Sequence, residues 1–190
     1  MVSKNKSDNK PNHHSNIDSP VVGIGASAGG LDAYKVFLKN IPEKSGMAYV
    51  LVQHLAPGHA SILPEILTRE TKLPVYEITD NINIEPDSIY IIPENQTLTV
   101  FDGKLKLTPR DKATRINMPI DIFFDSLAEV HAGFARGGIL SGTGFDGTLG
   151  LKAIKEAGGV TFVQNPDSAA FEGMPLSAIR AGAADFVLDV

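Results

Sequence analysis

Three side chains able to act together on an ester stand at comparable places in this 190-residue chain: Ser27, His54 and Asp146. Each comes shortly after an apolar run: Val21–Gly25 before Ser27, Ala48–Gln53 before His54, and Gly137–Leu140 before Asp146. A serine hydroxyl attacks well only when a base takes its proton. Imidazole is the base that titrates nearest neutral pH, and a carboxylate fixes its tautomer. Nucleophile, base and orienting carboxylate together are the parts of serine hydrolysis.

The turn at Ser27 carries two motifs. Gly25-x-Ser27-x-Gly29 matches a nucleophile elbow, in which the N–H of the following residue, Ala28, is an oxyanion donor. Gly23-x-Gly25-x-x-Ala28 matches a dinucleotide fingerprint, which wants an acidic residue at the end of the second strand to hold a ribose. This chain has Gln53-His54 there, which favours hydrolysis. Each residue also has a plainer reading: Ser27 as a helix cap, Asp146 before Gly147 as a turn residue or cap. His59 and His131 compete with His54 as bases, but they fall at a helix start and a helix end, where surface histidines are ordinary. Glu65, Glu70, Asp121 and Asp125 lie on expected helices and read as solvated faces.

The elements that must position these groups alternate. Strands are expected near 20–25, 48–53, 75–79, 89–93, 137–140, 160–164 and 184–188. Helices are expected near 29–40, 60–71, 119–131, 148–157 and 175–181. Leu98 to Leu107 alternates around Asp102-Gly103, a hairpin signal. This predicts a doubly wound α/β fold: a mostly parallel sheet with helices on both faces and an inserted antiparallel hairpin. In such sheets the site lies beyond the carboxyl ends of the strands where the winding reverses. The usual order 3-2-1-4 places Ser27 between the loops carrying His54 and Asp146.

Lys and Arg number 17 against 22 Asp and Glu, a net charge of −5, which argues against a nucleic-acid surface. No apolar run is long enough to span a bilayer, and the polar stretch 1–19 lacks a signal-peptide core. With no cysteine there is neither a disulfide framework nor a thiolate site. The expectation is a cytoplasmic protein with a disordered tail over residues 1–19 and one catalytic domain over 20–190. No metal or cofactor is called for.

Taken together, Gly25-Ala-Ser-Ala-Gly-Gly30, Val52-Gln-His54, Ser141-Gly-Thr-Gly-Phe-Asp-Gly147 and Phe171-Glu-Gly-Met-Pro175 resemble the CheB-type protein-glutamate methylesterases of chemotaxis. The resemblance implies hydrolysis of glutamyl methyl esters on the cytoplasmic helices of chemoreceptors, with release of methanol, and deamidation of receptor glutamines. It places the family's serine, histidine and aspartate on Ser27, His54 and Asp146, and a second oxyanion donor on the Thr143 N–H. Relatives often carry threonine where this chain has Ala28, and Gly-Met-Gly where it has Gly142-Thr143-Gly144. A receiver domain precedes the esterase in two-domain members. The short polar tail here instead resembles the subgroup fused to methyltransferase and sensor domains. Two other readings stay open: a nucleotide-binding Rossmann-like domain and a catalytically idle signalling module.

Overall fold

The structure, a computed structural model, describes residues 19–53, 62–110 and 118–190. Its strands are β1 (Val21–Ala26), β2 (Ala48–Gln53), β3 (Val75–Glu77), β4 (Ile82–Asn83), β5 (Ser88–Ile91), β6 (Gln96–Phe101), β7 (Lys104–Pro109), β8 (Ala135–Ile139), β9 (Val160–Gln164) and β10 (Phe186–Leu188). The helices are α1 (Gly30–Lys39), α2 (Leu63–Thr68), α3 (Pro119–His131), α4 (Thr148–Glu156) and α5 (Gly173–Arg180).

Seven strands form one parallel sheet in the order β10-β9-β8-β1-β2-β5-β3. From β1 the chain winds outward through β2, then returns to the other side of β1 with β8 and continues through β9 to β10. The winding therefore reverses at β1, as expected. The order 3-2-1-4 does not hold in full, because β5 intervenes between β2 and β3. Burial explains this. All four residues of β5 are buried, which suits an interior strand, whereas β3 has one half-buried and two exposed residues and takes the edge.

The hairpin folds where Asp102-Gly103 marks it. Both turn residues have positive φ (50° and 70°), the geometry that matches the twist of paired strands. It does not join the main sheet. With β4 it forms a separate three-stranded sheet whose Leu98, Val100 and Leu105 are buried with α3 in one core. That core, with α3, α4 and α5, covers one face of the main sheet, and α1 and α2 cover the other. The Tyr34 hydroxyl of α1 is fully buried, 3.0 Å from the Val52 carbonyl and 3.2 Å from that of Ile24. It ties α1 to the ends of β1 and β2.

Glycines set how closely α3 approaches β1. A Cβ at Gly23 would lie 2.8 Å from ring carbons of Phe123 and Phe124, and one at Gly25 would lie 2.5 Å from Ile120 Cγ2. Gly23 and Gly25 are buried strand residues with negative φ, so they are packing positions, and only Gly29 of this motif takes the left-handed turn. Gly25→Ala is therefore expected to lower stability by about 1–3 kcal/mol through overpacking, measured by urea unfolding. Unchanged stability would show that α3 can retreat from β1 at no cost.

Candidate active site

β1 ends at Ala26. After Ser27 and Ala28 the chain reverses at Gly29 (φ 73°), the cap residue of α1. A Cβ at Gly29 would lie 2.7 Å from Ser141 Oγ and 2.8 Å from Ala170 Cβ, so the turn has room only for glycine. The Ser27 N–H donates to the Ser141 carbonyl (3.0 Å), and the Gly30 N–H donates to the Ser27 carbonyl (2.9 Å). Ser27 itself is half-buried at the carboxyl end of the sheet, where the winding reverses.

The loop after β8 lies against this turn. Ser141 is 1% exposed and joins three segments. Its Oγ donates to the Ala28 carbonyl (2.8 Å) and accepts the Phe171 N–H (3.0 Å), while its N–H donates to Gln164 Oε1 (2.9 Å). At Gly142 a Cβ would stand 3.0 Å from Ser27 Cβ and 2.1 Å from Met174 Sδ, and its carbonyl accepts the Met174 N–H (2.9 Å). The Phe171-Glu-Gly-Met-Pro175 segment thus buttresses the loop that faces the serine. Neither the Ala28 nor the Thr143 N–H has an acceptor among the described residues.

Asp146 is 3% exposed. It does not cap α4, the helix it precedes; Gly147 takes that position without a side-chain bond. Its carboxylate instead reaches the start of α3 and accepts the N–H of Ile120 (Oδ2, 3.0 Å) and of Asp121 (Oδ1, 3.0 Å). Met118, at the cap position of α3, supplies no side-chain bond, so Asp146 does the capping from 25 residues away. The helix dipole favours negative charge there.

The expected base, His54, and its competitor His59 lie outside the described residues. The strand leading to His54 ends beside the one leading to Ser27, with Gln53 aligned with Ala26. A cavity of about 490 Å³ lined by Phe37, Tyr49, Phe162 and Leu188 runs along α1 and the β9–β10 edge, and neither Ser27 nor Asp146 lines it.

A family model described as CheB methylesterase matches residues 22–190. A protein-glutamate methylesterase/protein-glutamine glutaminase of Pseudomonas aeruginosa is 37% identical over 90% of this chain and 51% of its own length. A putative one from Leptospira interrogans is 34% identical over 88% of this chain and 87% of its own. The crystal structure of the Thermotoga maritima CheB methylesterase catalytic domain superposes with a TM-score of 0.82 at 32% identity, covering 90% of this chain and 93% of that one. A 104.1 kDa uncharacterized protein of Rhodobacter capsulatus is 39% identical over 67% of this chain but only 13% of itself. The chain spans about half the length of most of the curated relatives it matches.

Other residues fall differently from expectation. Asp121 is not on a solvated face: it is 7% exposed and accepts the Gly150 N–H (2.8 Å). Asp125 and Glu65 are exposed as expected, and the half-buried Glu70 pairs with Lys39 (3.0 Å). Ser141 and Gln164 also brace the site. Two polar side chains closing apolar strands were the available signal. His131 ends α3, about 18 Å along the helix axis from the end that Asp146 caps, so it does not serve the same site. It is buried rather than at the surface, and neither ring nitrogen has a partner among the described residues.

Burial holds the His131 imidazole down to about 4. The unfolded chain therefore takes up a proton first, and the stability given by neutral His131 is lost as pH falls from about 6.5 towards 4. His131→Leu is expected to flatten the stability–pH curve across that window, followed by chemical denaturation at fixed pH steps. An unchanged slope would assign the acid sensitivity to other groups.

Proposed function

Because this chain belongs to the CheB methylesterase family, we propose that it is a serine hydrolase that removes methyl esters from glutamate side chains of chemoreceptors. Receptor glutamines are deamidated by the same route. The observation that carries this reading is the conjunction at the switch point. A serine on a glycine-closed turn faces a loop that offers a second N–H with no acceptor among the described residues and ends in a buried carboxylate clamped by two amides.

The chemistry assigns a role to each group. His54 takes the Ser27 proton as Oγ bonds to the ester carbonyl carbon, and the carbonyl electrons move onto oxygen. The Ala28 and Thr143 N–H groups stabilise that oxyanion. As the tetrahedral centre collapses, methoxide leaves with the proton from His54 as methanol, and Ser27 holds the acyl group. Water then attacks with His54 again as base, and Ser27 departs with the proton. Asp146 keeps the imidazole in the tautomer that accepts from Ser27 and stabilises the imidazolium. No metal or cofactor takes part.

Exposed Phe145, Leu149 and Phe171 sit on the loops and helix start around these groups and give the substrate an apolar surface. The substrate is the cytoplasmic helical region of a methylated receptor, and the enzyme works in the cytoplasm. Among the described residues no helix is long and apolar enough to cross a membrane. The much larger Rhodobacter relative supports a domain that can stand within a longer protein; methyltransferase and sensor domains are the companions that the family resemblance implies.

Methanol release from methylated receptor membranes tests the assignment. Ser27→Ala should remove turnover with little change in unfolding midpoint, since the turn depends on Gly29 and on backbone bonds. Asp146→Asn should lower kcat by about 10⁴-fold through the wrong imidazole tautomer. It should also lower stability, because an amide can accept from only one of the two α3 N–H groups and must point its own donors at the other. Near-normal release by Ser27→Ala would exclude Ser27 as nucleophile.

A further inference from the structure

Asp146 and Asp121 cap each other's helices. Asp146 stands just ahead of α4, yet its carboxylate takes the N–H groups of the second and third residues of α3, Ile120 and Asp121. Asp121 is the third residue of α3, and its carboxylate takes the N–H of Gly150, the third residue of α4, at 2.8 Å. The same Asp121 also gives its own N–H to Asp146. Residue 121 is thus a partner of Asp146 through its backbone and a brace on Asp146's own helix through its side chain.

The brace acts at short range. A Cβ at Gly150 would lie 2.8 Å from the Asp121 carbonyl oxygen and 3.0 Å from its Cα, so the α4 start rests on the α3 backbone. Only two residues, Gly147 and Thr148, separate Asp146 from Leu149 and the braced turn. A slide of α4 against α3 therefore moves the Asp146 carboxylate off its two donors.

We propose that Asp121 is a positioning residue: by holding the starts of α3 and α4 in register it fixes the Asp146 carboxylate in its working orientation. This rests on the reading of Asp146 as the base-orienting carboxylate. The side chain is retained at a cost that supports a positional role. Burial pushes its carboxyl above the usual carboxylate range, the Gly150 N–H works against that, and the nearby carboxylates of Asp146 and Asp125 add to it. A neutral isostere avoids the cost while keeping an acceptor for Gly150.

The test compares Asp121→Ala, Asp121→Asn and, as a packing control, Leu151→Ala, which opens the fully buried α4 core position beside the brace. Methanol release gives kcat and KM, and amide hydrogen exchange reads the Ile120 N–H held by Asp146. Asp121→Ala should lower kcat about tenfold or more with KM little changed, and should speed Ile120 exchange more than exchange in the sheet. Asp121→Asn should recover most of kcat and unfold at the same or a higher temperature at neutral pH. Leu151→Ala should lose stability while keeping kcat. If Asp121→Ala does not fold, Asp121→Glu, which displaces the carboxylate by one methylene, takes its place with the same expected losses. Wild-type kcat or unchanged Ile120 exchange in Asp121→Ala, or in Asp121→Glu where that takes its place, overturns the proposal, as does an equal kcat loss in Leu151→Ala. Absence of Ser27-dependent turnover in the wild type would instead overturn the esterase reading, and Ile120 exchange would then decide the Asp121 proposal alone.

Discussion

The close approach of α3 to the glycine face of β1 is the contact on which the rest of the site depends. With no side chains at Gly23 and Gly25, the rings of Phe123 and Phe124 and the Ile120 side chain lie directly on the strand backbone. The start of α3 is thereby carried to the carboxyl end of the sheet, beside the loop that follows β8. Its unpaired N–H groups are buried there and need an acceptor. Asp146 supplies both oxygens, so a local requirement of a helix end sets the orientation of the residue assigned to orient the base.

The same economy appears on the other side of the serine. The turn at Ser27 is held by backbone bonds and by Ser141, whose hydroxyl bridges the Ala28 carbonyl and the Phe171 N–H. Gly142 then lets the loop pass within van der Waals contact of Ser27, over the sulfur of Met174. Three segments distant in sequence meet at this turn, and small residues at the contacts make that possible.

The sequence by itself determined the strand–helix alternation, because buried parallel strands and amphipathic helices have different apolar periods. It also located the Asp102-Gly103 turn and the strand-end positions of Ser27 and Asp146. These are short-range signals: a left-handed turn needs glycine, and a strand end is marked by where the apolar run stops. Tertiary structure alone decided what depends on pairing across long separations. The strand order beyond β2 turned on the relative burial of β3 and β5, and the hairpin left the main sheet to cover α3. Asp121 looked like a solvated helix residue because periodicity locates a face without naming its neighbour, and here the neighbour was the start of α4, 29 residues on. His131 looked like a surface residue because it stands at a helix end, and it is buried. Asp146, read as the catalytic carboxylate, also had plainer readings as a turn residue or a cap. Only the fold decided which helix it caps, because the answer depends on how near two glycines allow α3 to come.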